Sequence, residues 1–141
     1  MGRVTKKVVR NNIEYDITLV EGWDNPQVLE ASKVLLKHII ETKGERISYS
    51  DFCEKLSFKP HPEFVDKLFG PLSYSCIESG LPPASGIVVK KGEYFPGAGF
   101  IKYYYPHIKG EDAKLKKQLE VVKEIEEFKD WDVMLEAMNL L

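Results

Sequence analysis

The sequence predicts an α+β fold of the winged helix-turn-helix type, with an N-terminal β-hairpin and a C-terminal helical extension. Three observations carry this reading. Residues 3–20 read as two strands around paired asparagines. Apolar residues at helical spacing recur between positions 26 and 79. A strand–turn–strand pattern then spans 86–105. Helix, short helix, helix and hairpin is the element order of a winged helix. At 141 residues a single domain is expected. Its parts are the hairpin 1–22, the winged-helix core 23–110 and the extension 111–141.

In the first hairpin, Ile13, Tyr15, Ile17 and Leu19 alternate with polar residues, the period of a half-buried strand. Asn11 and Asn12 tolerate the positive φ of a tight turn. The first helix starts at Asn25-Pro26, where asparagine caps and proline suits the first turn. Its apolar face runs from Val28 to Ile40, and Gly44 stops it. Ser48 and Asp51 have capping-box spacing for a short second helix ending near Ser57. Pro62 opens a third helix over 62–69 with Phe64, Val65, Leu68 and Phe69 inward. Gly70-Pro71 predicts a break, because proline removes a hydrogen bond and clashes with the preceding turn. A fourth helix over 72–79 follows. Residues 86–89 and 100–105 are the expected wing strands, with Lys91-Gly92 at the turn. Leu115, Leu119, Val122, Ile125 and Phe128 mark a long helix over 111–129, and Asp130 is placed to cap a last short one.

Composition narrows the function classes. Hydrophobic residues make up 43% and charged residues 30%, and the net charge is −2. Such a balance gives no global attraction to nucleic acid or membrane, so such binding requires local patches. Residues 1–10 hold Arg3, Lys6, Lys7 and Arg10 without an acid, and 84–110 hold four lysines against Glu93 alone. Cys53 and Cys76 lie in amphipathic segments and are expected to be reduced, buried thiols. With three scattered histidines they form no zinc pattern, and no metal or cofactor is expected. No apolar leader or membrane-spanning run is seen, so a cytoplasmic protein is expected.

Two resemblances follow from the residues. ISYSDFCEKL, the 62–70 helix and LPPASGIVVKKGEYFPG together resemble the winged-helix domain of alkylguanine-DNA alkyltransferases and their catalytically dead alkyltransferase-like relatives. Tyr49 matches the tyrosine that starts their turn motif. Pro83-Ala84-Ser85-Gly86-Ile87-Val88-Val89 covers their proline-cysteine-histidine-arginine-valine-valine stretch with one residue extra. The alkyl-accepting cysteine is replaced by alanine, and its histidine and arginine are absent, as is any arginine in the third helix. The likeness covers about 50 residues and implies shape alone. A looser set, including Phe69-Gly70-Pro71, Leu81-Pro82-Pro83, Gly99-Phe100 and Trp131, is similar to poorly characterised bacterial and phage winged-helix proteins. That likeness implies a link to restriction and phage-defence contexts.

The expected function is therefore non-catalytic binding of double-stranded DNA. In that reading the 62–69 helix enters a groove. Arg3, Lys6, Lys7, His61, Lys67, Lys90, Lys91, Tyr94 and Lys102 are the contact residues. Long cations on an exposed turn suit phosphates, and tyrosines beside lysines suit stacking on bases. Glu63, Asp66 and Glu78 near the reading helix oppose tight binding. The alternative is a protein-interaction module or inhibitor that keeps the shape without binding DNA. A homodimer through the 111–129 helix is a further expectation. The PGAGF glycines do not sit between a strand and a helix N-terminus as a phosphate loop requires. No Ser-His-Asp order or carboxylate dyad appears, so catalysis is not expected.

Overall fold

The structure is a computed structural model that describes residues 2–141. It is a mixed α+β fold. Strands β1 (Val4–Arg10) and β2 (Ile13–Leu19) form the antiparallel hairpin, with Val8 opposite Tyr15 and Lys6 opposite Ile17. Asn11 and Asn12 take the turn at φ 52° and 64°. Helix α1 (Pro26–Thr42) is capped by Asn25, whose side-chain oxygen accepts from the N–H groups of Gln27 at 2.9 Å and Val28 at 3.4 Å. It ends through Lys43 and Gly44, both in the left-handed region. A two-residue strand β3 (Ile47–Ser48) leads into α2 (Tyr49–Glu54), capped by Ser48 through Asp51 N–H at 3.1 Å.

A 3-10 turn at Pro62–Phe64 precedes α3 (Val65–Glu78). The expected break at Gly70-Pro71 is absent, and α3 runs through both residues. Proline inside a helix costs about 3 kcal/mol. Leu68, Phe69 and Leu72 are buried on one continuous face across it, and each buried side chain of this kind contributes about 1.5–3 kcal/mol. Burial therefore wins. Ser75 and Ser79 lie one turn apart on α3 and face β2. Their hydroxyl oxygens accept from Val20 N–H at 3.0 Å and Thr18 N–H at 2.9 Å.

The expected wing is where the structure departs most from the sequence reading. A 3-10 turn at Ala84–Ile87 is followed by β4 (Val88–Val89), which pairs in parallel with β3 rather than with a later strand. Residues 100–105 are not a strand. Helix α4 (Ala98–Tyr104) covers most of them. In the helix Ile101 is fully buried, and Phe100 and Tyr104, four residues apart, bring their rings to 4.9 Å. Tertiary packing of these rings overrides the strand propensity of consecutive aromatics.

Helices α5 (Glu111–Glu127) and α6 (Asp132–Ala137) join the same core: Val121, Ile125, Val133 and Met134 cluster with Ile17, Leu35 and Ile87. Leu115 and Leu119, expected on the inward stripe of α5, are exposed instead. Asp130 does not cap α6 with its side chain. Its carboxylate is buried and accepts from the Tyr15 hydroxyl at 2.7 Å and Asn11 Nδ2 at 2.8 Å, tying the hairpin tip to the α5–α6 corner. Cys76 is fully buried, and burial pushes its thiol up to about 12. Among the described residues no helix is long and apolar enough to cross a membrane.

Gly86 sets the closest approach in this core. A Cβ there would lie 2.6 Å from Val121 Cγ1 and 2.9 Å from Ile125 Cδ1. Gly86→Ala should destabilise the protein by about 1–3 kcal/mol, as overpacking does. The measurement is the urea midpoint, which should fall with an unchanged m-value. Wild-type stability would show that α5 does not bear on this turn.

Candidate functional site

An aromatic-walled cleft lies between the start of α2, the first turns of α3, the 84–87 turn, the 90–97 segment and α4. Its volume is about 370 Å³, and its walls are largely aromatic. Tyr49 and Phe69 form one side, with ring centroids 6.3 Å apart. Phe69 is held from behind by Phe52, at 4.9 Å. Phe100, Tyr103 and Tyr104 form the other side. The Tyr103 ring meets that of Tyr104 edge-on at 4.9 Å, and Tyr74 packs against Tyr104 at 5.0 Å. Tyr74 also donates to the Tyr103 carbonyl at 3.1 Å.

A few polar groups interrupt this surface. Asp66 and Lys90 both line the cleft, one from α3 and one from the end of β4. The Tyr49 hydroxyl points to Asp66 Oδ1 at 3.5 Å. Ser85 is buried, with its Oγ 2.7 Å from Ser73 Oγ. Burial pushes the Tyr104 phenol well above its ordinary value, against a smaller lowering influence from these two hydroxyls. No imidazole or thiol lines the cleft. Among the described residues no group of three His, Cys, Asp or Glu is arranged to hold a metal ion. Phenol hydroxyls, the Ser85 hydroxyl, one carboxylate and one ammonium are thus set among aromatic rings.

The nine contact residues expected from sequence do not form one patch. Arg3 pairs with Glu78 at the far end of α3. Lys6 donates to the Ala137 carbonyl at 2.6 Å, and Lys7 pairs with Glu14 at 2.7 Å and Asp16 at 3.2 Å. These three cations are engaged on the hairpin. His61 accepts from Glu63 N–H at 3.4 Å, and Lys67 sits 4.8 Å above the Phe64 ring. Tyr94 stacks on Arg46, whose guanidinium carbon is 4.0 Å from the ring centroid. Lys90 alone lines the cleft, while Lys91 and Lys102 are exposed on the segments that bound it. Sequence reasoning did not single out Asp66, Phe69 or Ser85 as site residues. The aromatic density of 94–105 was the one local signal, and it pointed at half of the wall.

Burial pushes the Tyr49 phenol up to about 12, with Asp66 as the second cause. Burial also pushes Tyr105 up to about 12, with Glu124 second. Because the folded values are raised, the stability from burying these phenols neutral is complete below pH 10. It is lost as pH climbs from 10 through about 12. Absorbance at 295 nm should show a late tyrosine class that ionises together with loss of fold, and Tyr49→Phe should shrink it by one residue. Ionisation of every tyrosine near pH 10 before unfolding would contradict the burial of these rings.

Comparison with protein-family models, with curated proteins and with solved structures gives no match.

Proposed function

We propose that the chain is a non-catalytic nucleic-acid-binding protein of winged-helix type that receives one unstacked base in the aromatic cleft. Lys90, Lys91 and Lys102 hold the neighbouring phosphates. The observation that carries this reading is the cleft itself, with tyrosine and phenylalanine on both sides and Lys90 in its wall. Every base has a π-face that stacks on such rings. A cleft near the low end of the roughly 300–1,000 Å³ of ligand pockets has room for one planar ring system. A base inside a duplex cannot reach it, so double-stranded DNA would present the base extruded, at a cost of a few kcal/mol.

The wing assigned from sequence is replaced in this reading. The 90–97 segment and α4 stand where the second strand was expected, and they supply the lysines and the rings. The resemblance of the 47–97 region to the alkyltransferase-like winged helix supports the shape alone. The engaged state of Arg3, Lys6 and Lys7 removes them from the phosphate set. Glu63 in the 3-10 turn and Asp66 in the first turn of α3 closely precede Lys67, so that face repels a backbone. Binding is therefore modest and rests on few ionic contacts.

The test is a fluorescence titration of a duplex carrying one 2-aminopurine opposite an abasic site, repeated over a range of salt. Three phosphate contacts give a log–log slope of about −2.7. Lys90→Ala should flatten the slope by about one unit. Tyr103→Ala should weaken binding by about 1–3 kcal/mol with the slope unchanged, as loss of a stacking ring does. No binding at low salt would overturn the proposal and leave a protein partner as the alternative.

A further inference from the structure

We infer that residues 90–97 are a strap closing the outer side of the cleft, and that Arg46, which does not line the cleft, is its positioning residue. The inference rests on the cleft being the working site, as proposed above, but the strap has its own geometry. It leaves the core at Val89 and re-enters it at Ala98, and residues 90–94 are exposed throughout. Gly92 at φ +85° and Gly97 at φ +100° occupy backbone conformations that favour glycine. Lys90, Pro96 and Gly97 line the cleft. Movement of the strap therefore changes the width of the cleft.

Two side chains from outside the strap fix it. Arg46 Nε donates to the Tyr94 carbonyl at 3.1 Å, and its guanidinium stacks on the Tyr94 ring. Gln118, buried on α5, accepts from Gly97 N–H at 2.8 Å. The two partners differ in rigidity. Arg46 is itself held: its side chain is 12% exposed, and Nη1 donates to the Gly44 carbonyl at 3.0 Å and to Glu126 at 3.4 Å. Its neighbour Ile47 pairs with Val88 in the short parallel sheet. Tyr94, by contrast, is 56% exposed and gets its position from Arg46. A fixed planar cation that both stacks and donates is a latch that lysine cannot reproduce.

The experiment is amide exchange followed by NMR on the ligand-free protein. Arg46→Ala should speed exchange about tenfold at the two hydrogen-bonded strap amides, Glu93 N–H on the Lys90 carbonyl and Gly97 N–H on Gln118, with amides in α1 and α3 unchanged. Arg46→Lys should recover little of the protection. Should Arg46→Ala fail to fold, Tyr94→Leu decides the matter, because this exposed ring can be lost without disturbing the core. Strap exchange within twofold of wild type in a folded variant would overturn the latch. In a second arm, Arg46→Ala should release the 2-aminopurine duplex about tenfold faster with an unchanged salt slope. Faster strap exchange in a protein that binds no duplex would sink the nucleic-acid reading and leave the latch standing.

Discussion

The contact between the 84–87 turn and α5 holds the rest of the molecule in register. Gly86 lets the backbone of the turn approach Val121 and Ile125 more closely than any side chain would allow. From that point the chain is aimed in two directions. Ser85 is turned toward Ser73 and the cleft, and Val88–Val89 is delivered to β3. The β3–β4 pairing then places Arg46 and Tyr49 on either side of two paired residues, one toward the strap and one toward the cleft wall. The same helix α5 offers Gln118 to Gly97. The C-terminal helices are therefore part of the site's support, and their apolar residues belong to the same core as the hairpin's.

Local signals in the sequence located the elements whose causes are local. The Asn11-Asn12 turn, the Asn25-Pro26 start and the Ser48 cap each act within four residues, and each stands as read. The elements that were misread have distant causes. Residues 100–105 alternate well enough for a strand. Their helical state depends on Tyr74, about thirty positions earlier, against which the rings of Tyr103 and Tyr104 pack. Pro71 breaks helices in isolation, but here it lies within a face buried on both sides of it. The cleft was legible at Lys90, where exposure is a property of a turn, and in the aromatic density of 94–105. Its other walls come from positions 49, 66, 69 and 85, which no sequence spacing brings together.

Charge counting misled in a related way. Four cations without an acid in residues 1–10 suggested a local basic patch. The fold supplies the missing acids from elsewhere. Glu78 meets Arg3, Glu14 and Asp16 meet Lys7, and Asp132 and Glu136 meet Arg10. Exposed pairs of this kind add little stability, about 0–1 kcal/mol each. Their larger effect is to cancel the field a polyanion would meet over the hairpin. Lys90, Lys91 and Lys102 are the expected contact cations that stand exposed beside the cleft.

The serines that stitch α3 to β2 bear on a different property. A two-stranded ribbon offers outward-facing backbone groups along its edges, and such edges recruit strands from other molecules. On the β2 side, Thr18 and Val20 donate to Ser79 and Ser75. Two hydroxyls on a helix thus take the place of a third strand. They occupy these amides with a partner that cannot itself be extended by another strand. At this end of β2, away from the Asn11-Asn12 turn, the edge is therefore closed to an added strand.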